Sequence, residues 1–145
     1  MPPRIHNTAT VDDLLSIEAQ PEQRAFAAAL TRDAAAALLA AGPSRSITDD
    51  AGRVLLCCGV IFFHPNRAHA WTLLSGRASR HMPFLVKSVL KFLESLPCRR
   101  VEMTIRQGFS AGVKWARILG FRPEGVMRAY DENGDNCILY ARIQQ

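Results

Sequence analysis

The sequence lacks an apolar run long enough to cross a bilayer. Its longest uncharged apolar stretch, residues 54–63, covers about half the span that a membrane helix needs, and Gly59 interrupts it. The opening Met1-Pro-Pro-Arg-Ile-His6 has no apolar segment and no small-residue cleavage site of the secretory kind. A cytosolic chain with no membrane partner is expected. No C-x-x-C pair occurs among Cys57, Cys58, Cys98 and Cys137, and no histidine stands at zinc-finger spacing from them. Cys57 and Cys58 are neighbours in a predicted strand, where side chains alternate faces, so they pair poorly with each other. Free buried thiols are expected rather than a disulfide framework or a metal site. Internal repeats, low-complexity tracts and linkers are also missing, which points to one domain over residues 1–145.

What is present suits one globular core: 145 residues, 48% hydrophobic and 21% charged. The net charge of +5 is unevenly placed. Residues 1–50 carry four basic and seven acidic side chains, whereas residues 51–145 carry fourteen basic and six acidic. A positive field over the second part favours an anionic partner, either a phosphorylated cofactor or nucleic acid, or is simply a solvated face. No aromatic-interleaved basic stripe or nucleic-acid motif accompanies it, so nucleic acid is the weaker reading.

Residues 8–20 read as a capped short helix, with Thr10 before Asp12 and Asp13. Residues 22–41, rich in alanine, read as a second helix ended by Gly42-Pro43. From Ser46 the pattern turns to strands: a hairpin through Asp49–Gly52 into residues 53–64, the latter apolar on both faces, then a strand at 70–74. Residues 83–96 form an amphipathic helix with Leu85, Val86, Val89, Phe92, Leu93 and Leu96 inward. Residues 100–106 alternate, with Val101, Met103 and Ile105 on one face. That strand–helix–strand order is a parallel crossover. A helix from Ser110 through Trp115, Ile118 and Leu119 stops at Gly120, and strands at 126–130 and 137–143 flank Asn133-Gly134. The expected class is α/β with a mixed sheet: two N-terminal helices, antiparallel strands, one β-α-β crossover and a C-terminal hairpin.

This order, with Trp115-Ala-Arg-Ile-Leu-Gly-Phe-Arg-Pro-Glu-Gly125 before a strand, resembles the GNAT superfamily of N-acetyltransferases, including GNAT-like proteins encoded by phages. The resemblance covers residues 46–143, and residues 1–45 match the helical acceptor-side region. It implies that acetyl-CoA binds with its pantetheine along backbone groups of Leu73, Leu74 and Ser75. Its phosphates would rest on Gly76, Arg77, Arg80, His81 and Met82, and Ser110 would hydrogen-bond the pantetheine. An amine acceptor would enter between the opening helices and the C-terminal hairpin.

Three family features are missing. The phosphate loop Gln/Arg-x-x-Gly-x-Gly/Ala has Arg80 and Met82 at its glycine positions, so cofactor binding is expected to be weakened, with Arg77, Arg80 and His81 supplying charge instead. The tyrosine general acid four residues before Gly-Phe is replaced by Ala116. No carboxylate lies on the strand 70–74; Glu102 is the candidate general base, or else a partner of Arg100 or Arg106, with His69 and His81 as substitutes. Two readings therefore stand: an N-acyltransferase acting on a small-molecule or protein amine, or a catalytically inactive GNAT-fold assembly protein with protein partners, such as a phage virion or head-assembly component.

Overall fold

The computed structural model describes residues 2–144. In chain order its elements are β1 (Arg4–His6), α1 (Val11–Ser16), a 3-10 turn (Pro21–Gln23), α2 (Arg24–Ala29), α3 (Arg32–Ala40), β2 (Ser44–Thr48), β3 (Val54–His64) and β4 (Arg67–Leu74). A second 3-10 turn (Ala78–His81) then leads into α4 (Met82–Glu94), β5 (Arg100–Arg106), α5 (Ser110–Ile118), β6 (Arg122–Met127) and β7 (Cys137–Ile143). The strands form one mixed sheet in the order β1-β2-β3-β4-β5-β7-β6, and β4 with β5 is its parallel pair. The mixed α/β class expected from the sequence is the one observed. Two compact units make up the chain: residues up to Phe62 with Trp71–Ser95, and Phe63–Ala70 with the residues from Leu96 onward.

In the first unit, Thr10 caps α1 through a reciprocal capping box with Asp13. The helix predicted over 22–41 is broken in two. Leu30 takes an extended conformation (ψ 107°), and the Thr31 hydroxyl then accepts from Ala34 N–H to cap a new helix. A capping threonine outweighs the alanine-rich propensity around it. The short strand β1, unforeseen in the sequence, pairs antiparallel with β2. The first seven residues of β3 are all buried, as a strand covered on both faces requires. Leu14, Ile17, Ala35, Val54, Cys57 and Leu73 form one core cluster, with Trp71 packed against it. Gly59 makes room for that indole: a Cβ there would lie 2.6 Å from the Trp71 ring. On α4 the predicted stripe is buried at Leu85, Val89, Phe92 and Leu93, with Leu96 just beyond.

In the second unit, β4 pairs with β5 in the register Arg67↔Arg100 to His69↔Glu102. The strand predicted at 70–74 therefore begins earlier, and its parallel partners precede the predicted range. Helix α5 ends as Leu-Gly-Phe predicts. Gly120 has φ 85°, its N–H donates to Arg117 C=O, and Phe121 N–H donates to Ala116 C=O. This pair of bonds is a Schellman stop, and Phe121, 2% exposed, plugs the core behind it. Ile118 is 57% exposed, and the inner face of α5 is taken by Gly112, Trp115 and Ala116. The hairpin strand predicted at 126–130 runs instead from Arg122 to Met127, with a register shift between Pro123 and Gly125 that accommodates the proline. All four cysteines are free and buried. Burial pushes the Cys58 thiol up to about 12, so it is an inert core group.

Candidate functional site

Backbone alternation at the end of β4 decides what this edge can bind. Ser75 N–H donates to Leu55 C=O of β3 at 2.9 Å, so Leu74 presents its backbone groups to the opposite edge. Both of those groups have partners. Leu74 N–H donates to Gln23 Oε1 at 2.9 Å, and Leu74 C=O accepts from Gln20 N–H at 2.9 Å. Gln23 Nε2 also donates to Thr72 C=O at 2.6 Å. The Leu73 side chain is fully buried in the core of the first unit.

The loop that follows is similarly self-contained. Gly76 N–H donates to Glu18 C=O (3.2 Å), Arg77 N–H to Ser75 Oγ (3.1 Å) and Ala78 N–H to Ser75 C=O (3.1 Å). Four consecutive amides, from Ser75 to Ala78, are thus engaged within the chain. The amides remaining for a phosphate lie further on, at the 3-10 turn and the start of α4, where Pro83 has no N–H. Arg77 reaches Glu18 at 3.6 Å, but with 47% and 74% of the side chains exposed, water screens this pair and it holds the loop weakly. Arg80 is exposed, while His81 and Met82 are half-buried. Charge therefore fits an anionic cofactor here, but the backbone edge fits it only once its present partners leave.

In the second unit, Ser110 opens α5 and is exposed, and Ala116 is fully buried with only a methyl group. Glu102 is 5% exposed. Arg67 donates to both of its carboxylate oxygens (3.0 and 3.1 Å), and Arg100 Nε donates at 2.6 Å. Arg100 extends the chain of charges to Glu124 at 2.6 Å, whereas Arg106 is exposed. Burial alone would raise the Glu102 pKa, but the hydrogen bonds from Arg67 and Arg100 hold it below the usual carboxylate range. A carboxylate so paired is poorly poised to take a proton. Arg67 has no signal in the sequence for this role, because the pairing depends on the β4–β5 register.

His69 stands directly opposite Glu102 in that register and is half-buried, with the Phe63 ring 6.4 Å away edge-on. Burial lowers its pKa and the charge of Arg67 adds to this, while Glu102 opposes both. Among the described residues, no group of three His, Cys, Asp or Glu could hold a metal ion, and no helix is long and apolar enough to cross a membrane.

This arrangement of strands and helices has known counterparts. Ard1 from Thermoplasma volcanium superposes with a TM-score of 0.81 at 15% identity, over 100% of this chain and 99% of that one. The fold is the GNAT fold. The ribosomal-protein-S18-alanine N-acetyltransferase from Escherichia coli gives a TM-score of 0.76 at 16% identity, over 97% and 93% of the two chains. A GNAT superfamily phosphinothricin acetyltransferase from Sinorhizobium meliloti, in complex with AcCoA, gives 0.73 at 18% identity, over 99% and 89%. No protein-family model and no curated protein matches the sequence. At these identities the GNAT likeness speaks for the fold, and function has to be argued from the site.

Proposed function

We propose that this chain is a GNAT-type N-acyltransferase that binds acetyl-CoA weakly and passes the acetyl group to an amine. The observation that carries this reading is the end of β4 on a GNAT fold. There, strand-edge backbone groups lead into a cationic turn at Arg77, Arg80 and His81 and then into α4. Acetyl-CoA, when bound, supplies an acyl thioester. Arg77 and Arg80 would hold its phosphates by charge-assisted contacts, in place of the amide cradle that a glycine loop provides. Ala116, buried and with only a methyl group, offers no acid for a leaving thiolate. Glu102, locked between Arg67 and Arg100, serves the structure around His69 rather than the chemistry.

A second reading, a GNAT-fold binding or assembly protein without transfer chemistry, for example in a phage virion, is favoured by one specific observation. The amides of Ser75 to Ala78 and the backbone groups of Leu74 already have intramolecular partners. Calorimetric titration with acetyl-CoA and CoA, followed by an acetyl-transfer assay over a panel of amines, separates the two. Micromolar binding that Arg77→Ala and Arg80→Ala weaken, together with turnover, is expected. Absence of both binding and turnover overturns the transferase in favour of the assembly protein.

A further inference from the structure

The segment from Glu18 to Gln23 lies along the end of β4 and the loop after it. Glu18 C=O accepts from Gly76 N–H at 3.2 Å, and Gln20 N–H donates to Leu74 C=O at 2.9 Å. The Gln23 side chain completes the set. Its amide lies against β4 as the peptide of a neighbouring strand would, accepting from Leu74 N–H and donating to Thr72 C=O. Gln20 Nε2, 3.2 Å from Gln23 Oε1, keeps that amide oriented. A secondary amide of a bound ligand would need these same groups.

The segment is anchored lightly. Neither the 3-10 turn Pro21–Gln23 nor α2 contributes a buried residue, and Phe26 of α2 is 46% exposed. Segments with so little buried apolar surface open at small free-energy cost. The hydrogen bonds to β4 are its clearest ties.

Resting on the acyl-CoA reading above, we propose that Glu18–Gln23 is a strap that closes the cofactor edge of β4, with the Gln23 side-chain amide standing in for an amide of the ligand. Acyl-CoA binds only to the open form, so its apparent affinity is reduced by the fraction of molecules that are open. Ligand entry is thereby coupled to movement of the 3-10 turn and α2.

Two substitutions release different parts of the strap. Gln23→Ala removes the stand-in amide. Gln20→Pro removes the N–H on Leu74 C=O and the Nε2 that orients the Gln23 amide, but keeps that amide itself, and φ −60° at Gln20 already suits proline. The experiment is calorimetry and stopped-flow binding of CoA to the full chain and both variants, with hydrogen exchange at the Leu74 amide. Each variant should bind CoA about ten-fold more tightly than wild type, the scale of one or two net hydrogen bonds. Wild-type association should level off at high CoA, and Leu74 should exchange faster in Gln23→Ala. If Gln23→Ala fails to fold, Gln20→Pro carries the same test. Equal CoA affinity in all three proteins, with binding measurable, overturns the strap and leaves the transferase standing. No CoA binding by any of the three overturns both.

Discussion

At the end of α5, Gly120 sits at φ 85° and Phe121 is buried behind it, so the Leu-Gly-Phe stop is intact. At the start of α4, the loop has arginine and methionine at the glycine positions, and its first amides bond within the chain. Both segments carry the GNAT resemblance; the first follows its pattern and the second departs from it at Arg80 and Met82. A left-handed helix stop is a demand of the backbone itself, and side-chain chemistry cannot replace it. A phosphate site can be served by guanidinium groups instead of amides, or given up, without disturbing a core. Folding therefore protects the first motif and leaves the second open to change.

The comparison can be broken most sharply at Phe121. Phe121→Ala should cost about 3–5 kcal/mol in denaturant unfolding, as truncating a buried aromatic does. Near-wild-type stability would show that the stop is not anchored in the core.

Glu102→Gln should cost roughly 1–3 kcal/mol at neutral pH, because it leaves two guanidinium groups facing a neutral amide. The folded pKa of Glu102 is lowered, so its contribution is present above the ordinary glutamate value and is lost as pH falls through the folded one. The gap between wild type and variant should accordingly narrow in acid, and a gap unchanged from pH 7 to strong acid would contradict the pairing.

Gly120→Val should cost about 1–2 kcal/mol or more for a side chain forced to positive φ. An added Cβ would also stand 3.3 Å from Arg142 Nε. Thermal melting measures this, and CoA affinity should not change.

The smallest stability effects belong to the α4 loop. Arg77→Ala and Arg80→Ala should melt within about 0.5 kcal/mol of wild type, as exposed surface changes do. Both should weaken CoA binding, and that binding should fall more steeply with salt than in a glycine-loop relative. Loss of stability without loss of CoA affinity would reverse the contrast between the two motifs.

Much of the fold is legible residue by residue. The amphipathic period of α4, the alternation of β5, the capping of α1 by Thr10 and the stop at Gly120 all follow from neighbours a few positions apart. The break at Leu30-Thr31 was hidden by the alanines on either side, although Thr31 was its signal. The candidate site is legible only in part. The turn carrying Arg77, Arg80 and His81 lies between β4 and α4, in the order the sequence suggests, whereas nothing near Gln23 marks it as a partner of β4.

The sequence by itself determined the helix α4, the strands β3, β5 and β7, the cap of α1 and where α5 must stop, because periodicity, capping and positive φ are local properties. Only the tertiary structure decided that Gln23 meets Thr72 and Leu74, and that Glu102 is shared by Arg67 and Arg100. The Gln23 bonds and the Arg67–Glu102 pair join residues 35 to 51 positions apart in the chain. They depend on strand register and on how the turn before α2 docks against β4. Those are settled by the packing of the folded chain, since no local preference of glutamine or arginine selects one distant partner over another.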